Sequence, residues 1–228
     1  GGEIALQGQL DTRSETYGIE LRCDSFPLNR FLPADSLGLL DLALQAGGSG
    51  FDPLRAQTRG NIRLQVNRAE FRGRDFGGVE LNANLEGGQL SGRLSDRDEA
   101  LRLLLLVSGT LTERKQEVRL TGNVFDFDLA ELGISPQKIG GSFALEAGAS
   151  ASDAGSYTAR IALDSIEVRT RHRTDRIRPT SLSLSSDTTA TRAKLASGDL
   201  SLAFVSPGPV DSLVPALTRS ADILARQI

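Results

Sequence analysis

Methionine and tryptophan are missing from this 228-residue chain, histidine and cysteine occur once each, and Tyr and Phe together supply few aromatics. A lone Cys23 forbids an internal disulfide. One thiol in an alternating apolar context reads as a small buried apolar residue, so the redox compartment stays open. With His172 as the only imidazole, neither a Ser-His-Asp triad nor a Cys-His pair has local support. There is no Gly-rich phosphate loop followed by Lys, no nucleophile elbow and no Cys/His spacing suited to a metal. These gaps argue against an enzyme, a metal site and a cofactor. The lack of Met leads us to expect a segment excised from a longer protein. The longest apolar run, LLLLV at 103–107, falls far short of the roughly 20 residues a membrane-spanning helix needs. A net charge of -3 and a pI near 5.3 provide no field suited to nucleic acid.

What the chain does contain is alternation. Tyr17, Ile19, Leu21 and Cys23 share one face, and Leu40, Leu42, Leu44 and Ala46 repeat the pattern. Ile62, Leu64 and Val66, then Val79, Leu81, Ala83 and Leu85, continue it, as do Phe143 and Leu145, Ile161 and Leu163, and Leu182 and Leu184. Period-2 patterning of this kind predicts strands with one apolar and one wet face in an antiparallel or curved sheet.

The chain also repeats itself. RLQVNRAEFR at 63–72 returns as RIALDSIEVR at 160–169. Phe26, Leu28, Phe31, Leu42, Leu44 and Gly47 match Phe127, Leu129, Leu132, Phe143, Leu145 and Gly148 at a constant offset of 101, and Leu81 and Leu94 match Leu182 and Leu195. Two units of about a hundred residues are expected, 1–100 and 101–209, each burying its apolar face only by stacking on a neighbour. Within the repeated phrase the apolar phase slips by one residue, at Asn67–Arg68 and again at Asp164–Ser165. A strand whose faces swap contains a bulge or corner, and Asn or Asp tolerates the backbone such a place requires.

Two segments depart from the strand pattern, 25–38 and 126–141, and read as short helical plugs. The C-terminal stretch 210–228 carries a stripe of Val210, Leu213, Val214, Leu217, Ala221, Leu224 and Ile228, the pattern of an amphipathic helix that packs on its own sheet. The basic run Arg169, Arg171, His172, Arg173, Arg176 and Arg178 reads as the solvated face of a hairpin. Asp126 and Asp128 are too few for a calcium site and read as solvent-facing or capping residues. At 103–107 both faces are apolar, so a covering helix or neighbouring copy is expected there.

The recurring unit FPLNRFLPADSLGLLDLALQAGGSG, with its second copy FDLAELGISPQKIGGSFALEAGAS, resembles the repeating element of the TamB and AsmA-like envelope proteins, particularly the long Bacteroidetes type. The resemblance covers most of the chain. It implies an all-β fold, an elongated curved sheet forming a β-taco-like trough of about a dozen strands, with short helical plugs and a C-terminal amphipathic helix. The trough would be lined by Ile19, Leu21, Leu42, Leu44, Ile62, Leu64, Val66, Leu81, Phe143, Leu145, Ile161, Leu163, Leu182 and Leu184. It further implies the periplasmic part of an inner-membrane-anchored protein, meeting the membrane through parts of the parent chain beyond this segment. The expected role is non-catalytic: shielding phospholipid acyl chains between the inner and outer membranes. The alternative is a scaffold or chaperone for outer-membrane protein assembly with a BamA-type partner.

Overall fold

The computed structural model describes residues 2–30, 37–71, 73–152 and 155–209. The expected C-terminal helix lies outside them. The first part of the chain forms β1 (Glu3–Asp11), β2 (Thr16–Pro27), a 3-10 turn (Leu28–Arg30), β3 (Leu37–Ser49), β4 (Arg59–Phe71), β5 (Arg74–Phe76), β6 (Val79–Glu86) and β7 (Gln89–Arg97). There follow β8 (Leu101–Leu111), β9 (Lys115–Asp128), β10 (Gly140–Ser152), β11 (Tyr157–Arg169), β12 (Thr174–Ile177), β13 (Thr180–Ser186), β14 (Ala190–Ser197) and β15 (Leu200–Pro207). All belong to one open, curved antiparallel sheet. Thirteen strands run along it in chain order, while β5 and β12 pair only with β4 and β11.

The order of elements repeats with a period of seven. A long strand (β2, β9), a turn, two 13-residue strands (β3–β4, β10–β11), a short return arm (β5, β12) and two medium strands (β6–β7, β13–β14) occur twice, and β15 stands where β1 and β8 stand. Leu44 and Leu145 share the sheet's apolar face, as do Leu64 and Ile161. The copies differ by one slip: Leu44 pairs Leu64, whereas Leu145 pairs Leu163 and Ile161 pairs Ala147.

The phase slip in the repeated phrase has a structural cause. The β3–β4 register shifts between Asp41 and Leu42, leaving Asn67 as an extra residue, and the β10–β11 register shifts between Ser142 and Ala144, across Ser165 and Ile166. An extra residue in one strand turns the sequence phase by one while the face is kept. Ala69 pairs Leu40 and Val168 pairs Gly141, both on the apolar side beyond the bulge. Here each long strand also changes neighbours. The body of β4 pairs β6 and its tail pairs β5; the body of β11 pairs β13 and its tail pairs β12. The strained backbone belongs to Ser165, at φ 50°, not to Asp164, whose carboxylate accepts from the Ser165 amide. Asn67 does not take positive φ.

Of the first plug the described residues show a 3-10 turn at Leu28–Arg30, with 31–36 outside them, and the second plug is a single turn. After β9 the Asp128 carboxylate accepts from the amides of Ala130 (2.9 Å) and Glu131 (3.2 Å). Gly133, at φ 71°, then lets Ile134 and Ser135 donate back to the Leu129 carbonyl, which ends the turn before a helix can propagate. The Arg74 guanidinium reaches across from the first unit to donate to the Glu131 carbonyl (2.5 Å) and carboxylate (3.0 Å), a clasp between the units. The β6–β7 hairpin closes on Gly87 and Gly88, both at positive φ, as a two-residue hairpin demands.

Candidate functional site

The ladders place every expected trough-lining residue on one face. A single cross-strand row runs Leu6, Leu21, Leu44, Leu64, Leu81, Leu94, Leu105, Gly122, Leu145, Leu163, Thr180, Ser197, Leu200, one residue from each of the thirteen strands. Parallel rows carry Ile19, Leu42, Ile62, Val66, Phe143, Ile161, Leu182 and Leu184 on the same side. Twelve spacings of about 4.8 Å make this apolar path roughly 58 Å long along the sheet.

Among the described residues no second layer covers it. Among the described residues only Cys23, Ala100 and Val124 are buried apolar side chains. A sheet with one apolar face ordinarily packs it against another layer. Here the aliphatic groups are half-buried against one another in the middle and open towards the edges, where Leu6 is 65% and Leu202 56% exposed. Cys23 sits in this face between Ile4 and Leu42, and burial, followed by the nearby Asp41 charge, pushes its thiol up from the usual range. Asp96 takes the apolar-face position opposite Leu103, where burial first and the Asp98 charge second raise its carboxyl.

The cover expected over 103–107 is absent among the described residues. Leu104 and Leu106 point to the polar face, and Leu106 stays 47% exposed. Nor are the hollows where a trough would place them. One of about 630 Å³ between β9 and β15 and another of about 490 Å³ between β4 and β7 are lined largely by polar-face side chains. The polar face alternates long Arg and Glu with Gly, Ser and Ala and so leaves gaps.

Other sequence candidates resolve simply. Asp128 caps its turn, and Asp126 pairs with Arg169 and, at 3.7 Å, Arg102. In the basic run, Arg173 pairs Asp175 (2.7 Å) and Arg178 pairs Asp199 (2.5 Å), while His172 is exposed in the β11–β12 turn. Among the described residues no helix is long and apolar enough to cross a membrane, and no group of three or more His, Cys, Asp or Glu is arranged around a metal-sized site. No protein-family model, no curated protein and no solved structure matches the chain.

Proposed function

We propose that this chain is a segment of a TamB/AsmA-like periplasmic envelope protein, and that its apolar face shields phospholipid acyl chains on their way between the inner and outer membranes. The observation that carries this reading is a cross-strand row, uncovered among the described residues, to which ten of thirteen strands contribute a leucine. Each methylene withdrawn from water onto such a face gains about 0.8 kcal/mol. A row with no polar interruption from Leu6 to Leu105 offers a tail equivalent positions on successive strands, so sliding costs little. No reaction is required of any residue. At roughly 58 Å, the path is about twice the thickness of a bilayer's hydrocarbon core.

The alternative role, a scaffold for outer-membrane strands assembling with a BamA-type partner, is favoured by one feature. Among the described residues no strand pairs with the outer edges of β1 and β15, and β15, LSLAFVSP, carries no charge to discourage strand addition. Native mass spectrometry separates the two. Incubation with phospholipid vesicles followed by removal of free lipid is expected to leave phospholipid bound. Lipid-free protein that instead captures porin-strand peptides would overturn the lipid reading and leave the scaffold in its place.

A further inference from the structure

We infer that the polar face carries two matched seats for phosphate-class oxyanions, one in each repeat unit. In the first unit Arg63, Asn82 and Arg93 lie side by side on β4, β6 and β7. In the second, Arg160, Ser183 and Lys194 lie side by side on β11, β13 and β14. These are the same places in the repeat: Arg63 corresponds to Arg160 within the repeated phrase, and Asn82 and Arg93 correspond to Ser183 and Lys194 at the offset of 101. Both copies therefore keep a cation, a short hydrogen-bonding side chain and a second cation in register.

Each triad borders one of the two hollows. The cations of a triad stand two strand spacings apart, about 9.6 Å. Their long side chains can lean inward over Asn82 or Ser183 and meet one tetrahedral anion from both sides, with the amide or hydroxyl donating from below. All six residues are exposed, and none makes an ion pair or side-chain hydrogen bond among the described residues. Other cations of the same face do find acids, Arg59 with Glu86 at 3.6 Å and Lys115 with Glu117 at 2.6 Å. The facing acids are Glu80, one register step from the first triad, and Glu146, one step from the second; each triad keeps an excess of positive charge. Arg119 joins the second triad's row across Gly148 and adds a further cation. The seats lie six strand spacings apart, roughly 29 Å along the sheet. This inference concerns the face opposite the aliphatic row and does not depend on what that row carries.

The phosphate could belong to a lipid headgroup or to a free anion, and the test separates them. Calorimetric titration of the full chain with inorganic pyrophosphate at low salt is expected to give two sites. Arg63→Gln with Arg93→Gln should leave one, Arg160→Gln with Lys194→Gln should leave one, and the fourfold variant none, each lost seat weakening at least about 10-fold as two charge-assisted contacts go. Arg13→Gln with Arg114→Gln removes the same charge from distant turns and should leave two. Equal loss in that control, or an unchanged count in the paired variants, would overturn the seats. Co-sedimentation with phosphatidylglycerol but not phosphatidylcholine vesicles, in the same variant order, assigns the source as a headgroup. Pyrophosphate binding without vesicle retention assigns a free anion. Circular dichroism confirms the fold of every variant.

Discussion

Asp187 holds the β13–β14 turn through its carboxylate, which accepts from the Thr189 hydroxyl (2.5 Å) and from the amides of Thr189 (2.7 Å) and Ala190 (2.9 Å). These bonds, the hydroxyl first, lower its pKa to about 2 from an ordinary 3.8. The folded value lies below the unfolded one, so its contribution is present above pH 4 and is lost as pH falls through the window from about 4 to 2. Protection of the Thr189 and Ala190 amides, taken as the ratio of intrinsic to observed exchange rate, is expected to fall as pH drops across that window in the wild type, and Asp187→Asn should show no such acid step. The apolar face makes a second residue-scale prediction. Leu64→Arg or Leu81→Arg should abolish acyl-chain binding and cost about 1–3 kcal/mol of stability, because an unpaired charge on an aliphatic face resists desolvation. Gln65→Arg and Gln45→Arg, on the other face, should do neither, which lipid retention in native spectra alongside thermal melts will check. Such positions are legible in sequence because alternation alone assigns their face. Thr191 is not. It is wholly buried, bonded to Ser186 and to the Gly208 carbonyl at 2.9 Å each, and nothing in TATRA reveals a partner that arrives only with the β15 end.

The bulges show how much an element owes to one residue. Deleting Asn67 would leave a continuous period-2 strand in which Ala69 and Phe71 keep the apolar face, but would remove the corner at which β4 passes from β6 to the β5 arm. Exchange protection is then expected to vanish from Arg74–Phe76, which lose the corner that seats them, while Ile62–Val66, paired with β6, stay protected. Retained protection in β5 would show that the bulge does not set the corner. The phase slip made the bulge readable at both Asn67 and Asp164–Ser165. The short arms β5 and β12 were not readable as strands, since three or four residues hold only against the tail of a long neighbour. The plugs were read as helical from apolar spacing at 126–141, but Gly133 closes the turn after Asp128, and spacing alone does not weigh that. The Arg63 and Arg160 rows were visible as a repeated phrase. Their flanking cations, Arg93 and Lys194, join them only through the ladder.

At the scale of the whole molecule, a sheet that among the described residues is a single layer with three buried apolar side chains depends on whatever covers its apolar face. A ligand that binds only the folded form stabilises it by mass action, by about 2.7 kcal/mol at a hundred times its dissociation constant. For a chain of this size each kcal/mol raises the melting temperature by roughly 2–4 °C. A short-chain phosphatidylcholine, added below its micelle concentration, is therefore expected to raise the melting temperature by about 5–10 °C at that saturation. The zwitterionic headgroup keeps the phosphate seats of the opposite face from contributing, and the fourfold Arg/Lys variant should shift as the wild type does. Leu64→Arg and Leu81→Arg, each folded by circular dichroism, should not shift. The strand-scaffold role predicts the reverse: no lipid-dependent shift, and stabilisation by an amphipathic strand peptide that pairs with the edge of β15, equally in wild type and in both Arg variants, because that edge lies several strands from Leu64 and Leu81. A melting curve indifferent to lipid and responsive to the peptide would thus move the site from the face of the sheet to its edge.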